Sequence, residues 1–472
     1  MKSFLVTLVI TGLLIPALGS TAQAESLTLD DCVNLALQNR ASIIRARGNE
    51  DLAKADRRAA LGAFLPRVNA YYNYSKSYSR DLKSEGTIPT GADLWVDTLQ
   101  FQDSRTGQIV DWEVVRDSVT GWETVEFQQQ DQDRTSKTWG AQAQMSLFDL
   151  SNWFNLARSG AAKEMAQLDV IASEQDLIYS VKFSFYAYLA VAENVSVQQE
   201  AVKRSDEQLK LIQSKFELGS AAKSDVLKQK VQVGNDRLQL LEAQNSVITA
   251  KADLAYTIGI DPTRDIEFSK TSTPQTYDGT IDDALQYGLS HQPAYLSAEK
   301  GVDASNHSVN AAKAAYLPTL GASASLGWSD GTRGDTAIFN FSSRSSSIGL
   351  GASWSIFDGF YRERSLSSAK IQRNNARAQA AEMRNLLALQ VKTAFYDIEN
   401  AQAQTQVSQE NVEAATEDLN ITQEKYNLGA ATILDLLESQ VALKNAQVSL
   451  IRTGFDLNLA VARLDRAMGR KL

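Results

Sequence analysis

Two acidic side chains that could bind a cation stand three positions apart near the C-terminal end of the chain. They are Asp435 and Glu438, in the stretch KYNLGAATILDLLESQ that begins at Lys425. Residues three apart share one face of a helix, so both carboxylates would point the same way. The pair is either a solvated helix face or, if several copies meet there, a ring of carboxylates that selects cations.

The chain offers little other chemistry. Its 472 residues include one cysteine, Cys32, and two histidines, His291 and His307, too few for an internal disulfide or a metal cluster of cysteines and histidines. It has neither a GxxxxGK phosphate loop nor a GxSxG nucleophile elbow. A formal net charge of -9 at pH 7 disfavours a nucleic acid partner. We therefore expect no enzyme, no cofactor and no bound metal, and a structural role for both histidines.

The first 24 residues are typical of a secretory signal. Lys2 supplies the positive start, FLVTLVITGLLIPAL the apolar stretch, and Ala22-Gln23-Ala24 the small-residue cleavage site. Later in the chain no stretch reaches about 18 consecutive apolar residues. The sequence therefore predicts export without a membrane-spanning helix.

An internal repeat organises the rest of the chain. Four stretches recur in the same order: TLDDCVNLALQNR (28–40) and TIDDALQYGLSHQ (280–292), Leu65-Pro66 and Leu317-Pro318, SLFD (146–149) and SIFD (355–358), and KFELGSAAKSDVLKQK (215–230) and the stretch from Lys425. The spacing between copies drops from 252 to 209 residues after the second pair, so the first half carries about 43 additional residues there. We interpret the chain as a tandem duplication with one enlarged loop.

Each half is expected to contain two short helices, two strands around a loop, a very long helix, a turn and a return helix. The first repeat covers 25–270, with strands at about 67–80 and 138–148, a long helix at about 151–217, a tip at 216–225 and a return helix to about 257. A linker follows at 271–279. The second repeat covers 280–472, with strands at about 319–330 and 346–357, a long helix at about 360–427, a tip at 426–435 and a return helix to about 467.

The long helices are predicted from runs without glycine or proline, 58 residues at 161–218 and 69 residues at 360–428. The longer run would form a rod of roughly 100 Å at 1.5 Å per residue. Small and apolar residues recur along it at three- and four-residue steps in an otherwise polar surface, which is typical of coiled-coil packing. Such a rod cannot bury itself in a globule, so it must lie beside other rods.

The four strands alternate between apolar and polar residues. In the third strand, for example, Leu320, Ala322, Ala324, Leu326 and Trp328 alternate with glycine and serine. This pattern fits either a soluble antiparallel sheet or a transmembrane β-barrel, and the predicted export and long loops favour the barrel. Four strands cannot close a barrel in lipid, so protomers must share it: two copies would give eight strands and three would give twelve.

The enlarged loop, at about 81–137, carries 12 Asp or Glu and 5 Lys or Arg, together with Trp95, Trp112 and Trp122. The partial alternation of WEVVRDSVTGWETVEF predicts an additional hairpin. The loop is either a solvated outer loop, as is normal for such barrels, or a constriction or receptor at the outer mouth. The first interpretation is favoured.

The tandem halves, the Leu-Pro before each strand pair, the Phe-Asp after it and the YxLGxxxxLDxLxxQ-like turn together resemble the TolC-like outer-membrane efflux proteins. The resemblance implies a mixed α and β membrane protein of the cell outer membrane, with most of its mass in the periplasm. It implies a homotrimer with a 12-stranded β-barrel continued by a long 12-helix α-barrel.

The same resemblance implies a function as the passive exit duct of a tripartite efflux or type I secretion system. A periplasmic adaptor would connect the duct to an inner-membrane ABC or proton-driven transporter. The cargo stays open between drugs, metals, small molecules and proteins. Two alternatives are a non-conducting structural or adhesive envelope protein, and the periplasmic adaptor itself.

The resemblance also assigns roles at the twin turns. Asp435 and Glu438 would line the periplasmic entrance, and Asp225 and Tyr426 would make contacts between tips. The adaptor would dock on the exposed residues of both tips, which are Leu218, Gly219, Ser220, Ser224, Leu428, Gly429, Ala430 and Leu434. Some family members have a basic residue at the position of Ala431 that pairs with an acid of the neighbouring tip. Alanine cannot form that pair, so another contact must close the entrance here.

Overall fold

The computed structural model describes residues 26–79, 83–128, 132–264, 266–269, 277–330 and 343–470. The expected signal segment and most of the expected linker lie outside these residues. The described chain forms two compact units, and each unit contains parts of both repeats. A helical unit is built from the described parts of 1–61, 150–316 and 357–472, and a sheet unit from those of 62–149 and 317–356.

Eight helices lie in the described residues. They are α1 (Leu29–Asn39), α2 (Ala41–Gly62), α3 (Leu150–Glu217), α4 (Lys223–Ile258), α5 (Ile281–His291), α6 (Pro293–Ala314), α7 (Tyr361–Asn427) and α8 (Ile433–Met468). With 68 and 67 residues, α3 and α7 are each about 100 Å long. No helix in the described ranges is both long enough and apolar enough to cross a membrane.

The two short helices α1 and α5 begin at matching caps. Thr28 Oγ1 accepts a hydrogen bond from the N–H of Asp31, whose carboxylate accepts one from the N–H of Thr28. Thr280 and Asp283 form the same capping box at the start of α5. In both boxes the threonine hydroxyl also donates to the aspartate carboxylate, at 2.6 Å. This bond, together with the one from the threonine N–H, lowers the pKa of both aspartates, because both bonds stabilise the charged carboxylate.

The return helices α4 and α8 end at matching glycines. Gly259 and Gly469 adopt left-handed backbone conformations, with φ of 78° and 75°. A Cβ on Gly469 would lie 2.6 Å from the Cα of Gln292, and one on Gly259 would lie 3.1 Å from the Cβ of Asn39. The end of α4 therefore abuts the α1–α2 connection, and the end of α8 abuts the α5–α6 connection.

Buried side chains hold the long helices in a fixed order. Helix α3 packs against α4 and α8, and α8 packs against α7. One core cluster, which includes Tyr186 and Tyr188, joins α1, α3 and α4. A second cluster, which includes Leu387 and Leu464, joins α5, α7 and α8. Helices α4 and α7 are therefore the two ends of this series.

Both end helices carry a second apolar row that no described element covers. On α4 the row is Leu227, Val231, Leu238, Leu241 and Ile248, with exposures of 53 to 66 %. On α7 it is Leu389, Tyr396, Val407 and Ile421, with exposures of 42 to 60 %. Their spacing places each row on one helix face, which is the pattern of a helix that packs against another element.

The sheet unit contains β1 (Arg67–Ser79), β2 (Lys83–Pro89), β3 (Ala92–Gln102), β4 (Ile109–Val119), β5 (Trp122–Gln128), β6 (Gln132–Phe148), β7 (Thr319–Asp330) and β8 (Ser343–Ser353). Four of these strands form an antiparallel sheet in the order β1-β6-β7-β8, so β1 and β8 are its edges. Strand β8 ends at Ser353, although the alternation continues to Ile356. The pairing stops there because its partner β7 begins directly after Pro318, which has no N–H to donate.

The enlarged loop continues the β1–β6 hairpin. Strand β2 pairs with β5, and β3 pairs with β4. The two strands that lead into the turn at 103–108 therefore pair with the two strands that lead out of it. The predicted additional hairpin is present. The stretch WEVVRDSVTGWETVEF lies in β4 and β5, which pair with β3 and β2. Trp95 and Trp122 are 48 % and 66 % exposed.

Candidate functional site

The twin glycine turns close the α3–α4 and α7–α8 hairpins in the same way. Gly219 and Gly429 adopt left-handed conformations, with φ of 77° and 76°. The residue after each glycine donates its N–H to a carbonyl five positions back, from Ser220 to Lys215 and from Ala430 to Lys425, both at 2.8 Å. This is the Schellman motif, in which glycine avoids the strain that a side chain would impose.

All the residues predicted to dock a partner are exposed at these two turns. They are Leu218, Gly219, Ser220, Ser224, Leu428, Gly429, Ala430 and Leu434. Leu218 and Leu428 are 84 % and 85 % exposed. Each hairpin therefore presents an uncovered leucine beside its glycine, and the second tip exposes Leu434 as well.

The second tip differs from the first in how its return helix begins. Asp435 accepts hydrogen bonds from the N–H and the hydroxyl of Thr432, both at 2.8 Å, and returns one from its own N–H. The two bonds from Thr432 lower the pKa of the Asp435 carboxyl. At the matching place in the first tip, Ala222 precedes α4 and provides no side-chain cap for Asp225.

The two carboxylates of the acid pair therefore differ in how their positions are fixed. Asp435 is exposed but oriented by Thr432, while Glu438 lies one turn further along α8 and is exposed. Sequence reasoning missed the cap, although the Thr-x-x-Asp spacing from 432 to 435 is a recognisable signal for it. The cap favours the ionised form of Asp435 and sets the position of its carboxylate.

A lysine links the two hairpins close to their tips. Lys215 Nζ lies 4.7 Å from the centroid of the Tyr426 ring and 3.4 Å from Asn427 Oδ1. Burial raises the pKa of the Tyr426 hydroxyl, and the negative charge of Asp225 raises it further. Asp225 and Tyr426, both predicted as tip contacts, are therefore electrostatically coupled, and Lys215 is the neighbour that the sequence did not reveal.

A second lysine links the hairpins further from the tips. Lys444 Nζ of α8 lies 3.0 Å from Asp236 Oδ1 and 2.7 Å from Gln239 Oε1, both on α4. Lys444 is 7 % and Asp236 4 % exposed, so this is a buried ion pair. An apolar cluster that includes Ile212 and Leu436 also joins the two hairpins. Each hairpin thus has one lysine that contacts the other hairpin.

The paired rows of the sheet are mostly apolar on one face and mostly polar on the other. One face contains the rows Val68, Ala143, Ala324 and Ile348, and Tyr72, Trp139, Trp328 and Arg344. The other face contains the row Asn69, Gln142, Ser325 and Ser347, in which the two serine hydroxyls are 2.8 Å apart. The four predicted alternations therefore combine into one apolar face and one polar face.

The apolar face has the height of a membrane core. On this face β8 runs from Arg344 to Ala352, eight residues apart. Eight residues span about 26 Å along a strand, which becomes about 20 Å when the strand is tilted as in outer-membrane barrels. Ile348 and Leu350, between these two positions, are 90 % and 79 % exposed. This height is close to the apolar band of about 25 Å that outer-membrane barrels present to lipid.

The remaining candidates lie apart from these sites. His291 stacks on Tyr287 with ring centroids 4.1 Å apart, and His307 lies within α6. Cys32 lies in α1 and is buried in the core cluster shared with α3 and α4. This burial raises the pKa of its thiol to about 12. Among the described residues no group of three or more His, Cys, Asp or Glu is arranged to hold a metal ion.

Known proteins share this sequence pattern and this fold. The chain is 24 % identical over 339 residues to the outer membrane efflux protein BepC of Brucella suis, covering 71 % of this chain and 73 % of BepC. It is 24 % identical over 343 residues to the outer membrane protein TolC of Escherichia coli, covering 70 % and 68 %. The crystal structure of the outer membrane protein VceC from Vibrio cholerae shows the same fold, with a TM-score of 0.72, 19 % identity, and coverage of 93 % and 96 %.

The model of the family described as "Outer membrane efflux protein" matches residues 32–259 and 284–470. These ranges include both hairpins, both tips and the sheet, so the match covers most of the chain. The chain belongs to the outer membrane efflux protein family, whose members are channels of the cell outer membrane with a large periplasmic portion.

Proposed function

We propose that three copies of this chain form the passive exit duct of a tripartite efflux or type I secretion system. The observation that carries this proposal is that both units have open edges, at β1 and β8 in the sheet and at α4 and α7 in the helical series. Open edges at opposite ends of the same array are satisfied when each copy contacts the next in a closed ring.

In the sheet, strand β8 of one copy would pair with β1 of the next. An unpaired strand edge is not tolerated in lipid, so the four-stranded sheet requires partners. Three copies would close a twelve-stranded barrel with the apolar rows toward lipid and the serine, asparagine and glutamine rows toward the lumen. A lumen of this composition would carry polar cargo and ions without charge selection.

In the helical unit, the exposed row of α4 would pack against that of α7 in the next copy. Both rows are apolar, lie on one helix face and are more than two-fifths exposed in the single chain. Three copies would supply twelve helices to a continuous wall, counting α3, α4, α7 and α8 from each. The resulting tunnel in the periplasm would continue the barrel.

At the far end of the tunnel, the second tip would form the entrance. Three copies of Asp435 and Glu438 would give six carboxylates around the axis, a cation-selective constriction. The exposed leucines Leu218 and Leu428 would dock a periplasmic adaptor, and an inner-membrane transporter would supply the energy. With alanine at position 431, where some family members carry a basic residue, the Lys215–Tyr426 contact and the Lys444–Asp236 pair would hold the hairpins of each copy together.

Planar-bilayer recording of the purified protein tests both the duct and its entrance. The wild-type protein is expected to conduct, to prefer cations and to be blocked by multivalent cations from the periplasmic side. Replacing both Asp435 and Glu438 with alanine should weaken selectivity and block. The matched control is Glu410→Ala/Glu413→Ala, an exposed pair with the same spacing on α7.

Each outcome of these recordings has one meaning. A protein that inserts as a trimer but never conducts would refute the duct and favour a structural envelope protein. Normal selectivity and block in the Asp435/Glu438 variant would refute the carboxylate entrance. An equal loss in the control pair would show that acids anywhere along the tunnel produce the effect.

A further inference from the structure

An arginine is held against a pair of tryptophans at one end of the apolar face of the sheet. The rings of Trp139 and Trp328 stack with centroids 4.1 Å apart and planes 5° from parallel. The Arg344 guanidinium carbon lies 5.6 Å from the centroid of the Trp328 ring. Arg344 is exposed, so the N–H groups of its guanidinium are accessible on the apolar side of the sheet.

Charge is confined to this end of the apolar face. The next row beyond the tryptophans contains Lys137 opposite Asp330, both 4 % exposed. At the opposite end, the row that joins Leu320 to Ala352 contains no charged side chain. The two ends of the apolar band are therefore chemically different.

Chain connectivity shows which end this is. At 67, 148, 319 and 353 the strands lead to or from helices, whereas the tryptophan row lies toward the other ends of the same strands. The helices make up the large periplasmic portion, so the tryptophan row lies toward the outside of the cell. Aromatic rings at this position lie at the level of lipid headgroups.

We propose that Arg344, supported by Trp328 and Trp139, binds a phosphate group of a lipid A-type glycolipid in the outer leaflet. This inference rests on the proposed function, because it requires the apolar face to contact lipid. Guanidinium matches phosphate in a two-pronged geometry, and stacking on an indole fixes its plane in advance. The interaction between cation and ring strengthens when lipid excludes water.

A phospholipid of the inner leaflet would not find an equivalent site. The paired row at the other end of the band, which joins Leu320 to Ala352, contains no basic side chain. Lys137 lies opposite Asp330, whereas Arg344 lies opposite Trp328. A second exposed base of this face, Lys76, lies two rows further out and over the Tyr78 ring. The asymmetry of the face therefore matches a membrane whose phosphate-rich glycolipid lies on the outer side.

Native mass spectrometry of the purified full-length trimer tests the site. The probes are bisphosphorylated lipid A, dephosphorylated lipid A and phosphatidylglycerol. Arg344→Gln should reduce the affinity for bisphosphorylated lipid A roughly tenfold, the size expected for a lost charged hydrogen bond, and Arg344→Lys should restore part of it. The control is Arg67→Gln, an arginine of the same sheet on the polar face, which should bind lipid A as the wild type does.

The outcomes separate this site from the duct itself. Unchanged lipid A binding in Arg344→Gln, an equal loss in Arg67→Gln, or equally tight binding of phosphatidylglycerol would each overturn the site. Conductance of the same preparations reports on the duct independently. If Arg344→Gln trimers conduct normally and lose lipid A, both proposals stand; if they conduct and keep lipid A, this inference alone fails.

Discussion

The buried ion pair between Lys444 and Asp236 permits the sharpest test of how the two hairpins are joined. Replacing Lys444 with methionine keeps the side-chain length but removes the ammonium group. Asp236 would then remain buried, with the Gln232 amide at 3.1 Å as its donor among the described residues. Leaving one charge of a buried pair without its partner costs about 3–5 kcal/mol.

The double variant Lys444→Met/Asp236→Leu separates the pair from the packing around it. When both charges are replaced by apolar side chains, the cost of the isolated carboxylate disappears, and the net change should be about 1 kcal/mol or less. The matched control is Arg237→Met. Arg237 is next to Asp236 in sequence, and its ion pair with Asp206 is partly exposed. An exposed pair of this kind contributes at most about 1 kcal/mol.

Hydrogen exchange of the assembled protein measures these differences locally, without requiring reversible unfolding. In Lys444→Met, amides of α4 and α8 around the pair should exchange roughly a hundredfold faster or more, since 1.36 kcal/mol corresponds to a factor of ten. The double variant and the control should exchange nearly as the wild type does. If the double variant exchanges as fast as Lys444→Met, the lysine stem and its packing matter rather than the charge, and the reasoning is wrong.

Three further outcomes are expected. Gly429→Ala should weaken the second turn by about 1 kcal/mol, seen as faster exchange there, since a Cβ has free space but the left-handed backbone disfavours it. Thr432→Ala should return the pKa of Asp435 toward its ordinary 3.8 in an NMR titration. Because the folded-state pKa is lowered, this cap stabilises α8 above pH 3.8 and is lost as pH falls through the lowered pKa. Cys32, buried and with its pKa raised to about 12, should resist thiol reagents at pH 8 until the protein unfolds. A rapid reaction with native protein would contradict its burial.

Local features of this fold were predictable because short-range rules govern them. The repeated Gly219 and Gly429 mark the turns, since the left-handed conformation at a helix end favours glycine. Thr28 and Thr280 mark helix starts, because the bonds that cap a helix join residues only three positions apart. The cap at Thr432 follows the same rule, because Thr432 and Asp435 are also three positions apart.

The contacts between distant segments were not predictable in this way. Lys444 and Asp236 are 208 positions apart, and each reads in sequence as an ordinary polar residue on a helix surface. Their burial depends on which helix lies opposite. The same holds for Lys215 beside Tyr426 and for Arg344 over Trp328, because a side chain's neighbours across an interface depend on register and order of packing.

The amino-acid sequence alone determined the duplication, the long helices, the two glycine turns and the two-faced strands, since each depends on backbone preference or on a short period. Tertiary structure decided that strands and helices from both halves merge into one sheet unit and one helical unit. It also decided that α4, α7, β1 and β8 keep open edges within the described part of the chain, and which charges are buried together. These properties arise from contacts between segments far apart in the chain, for which local patterns carry no signal.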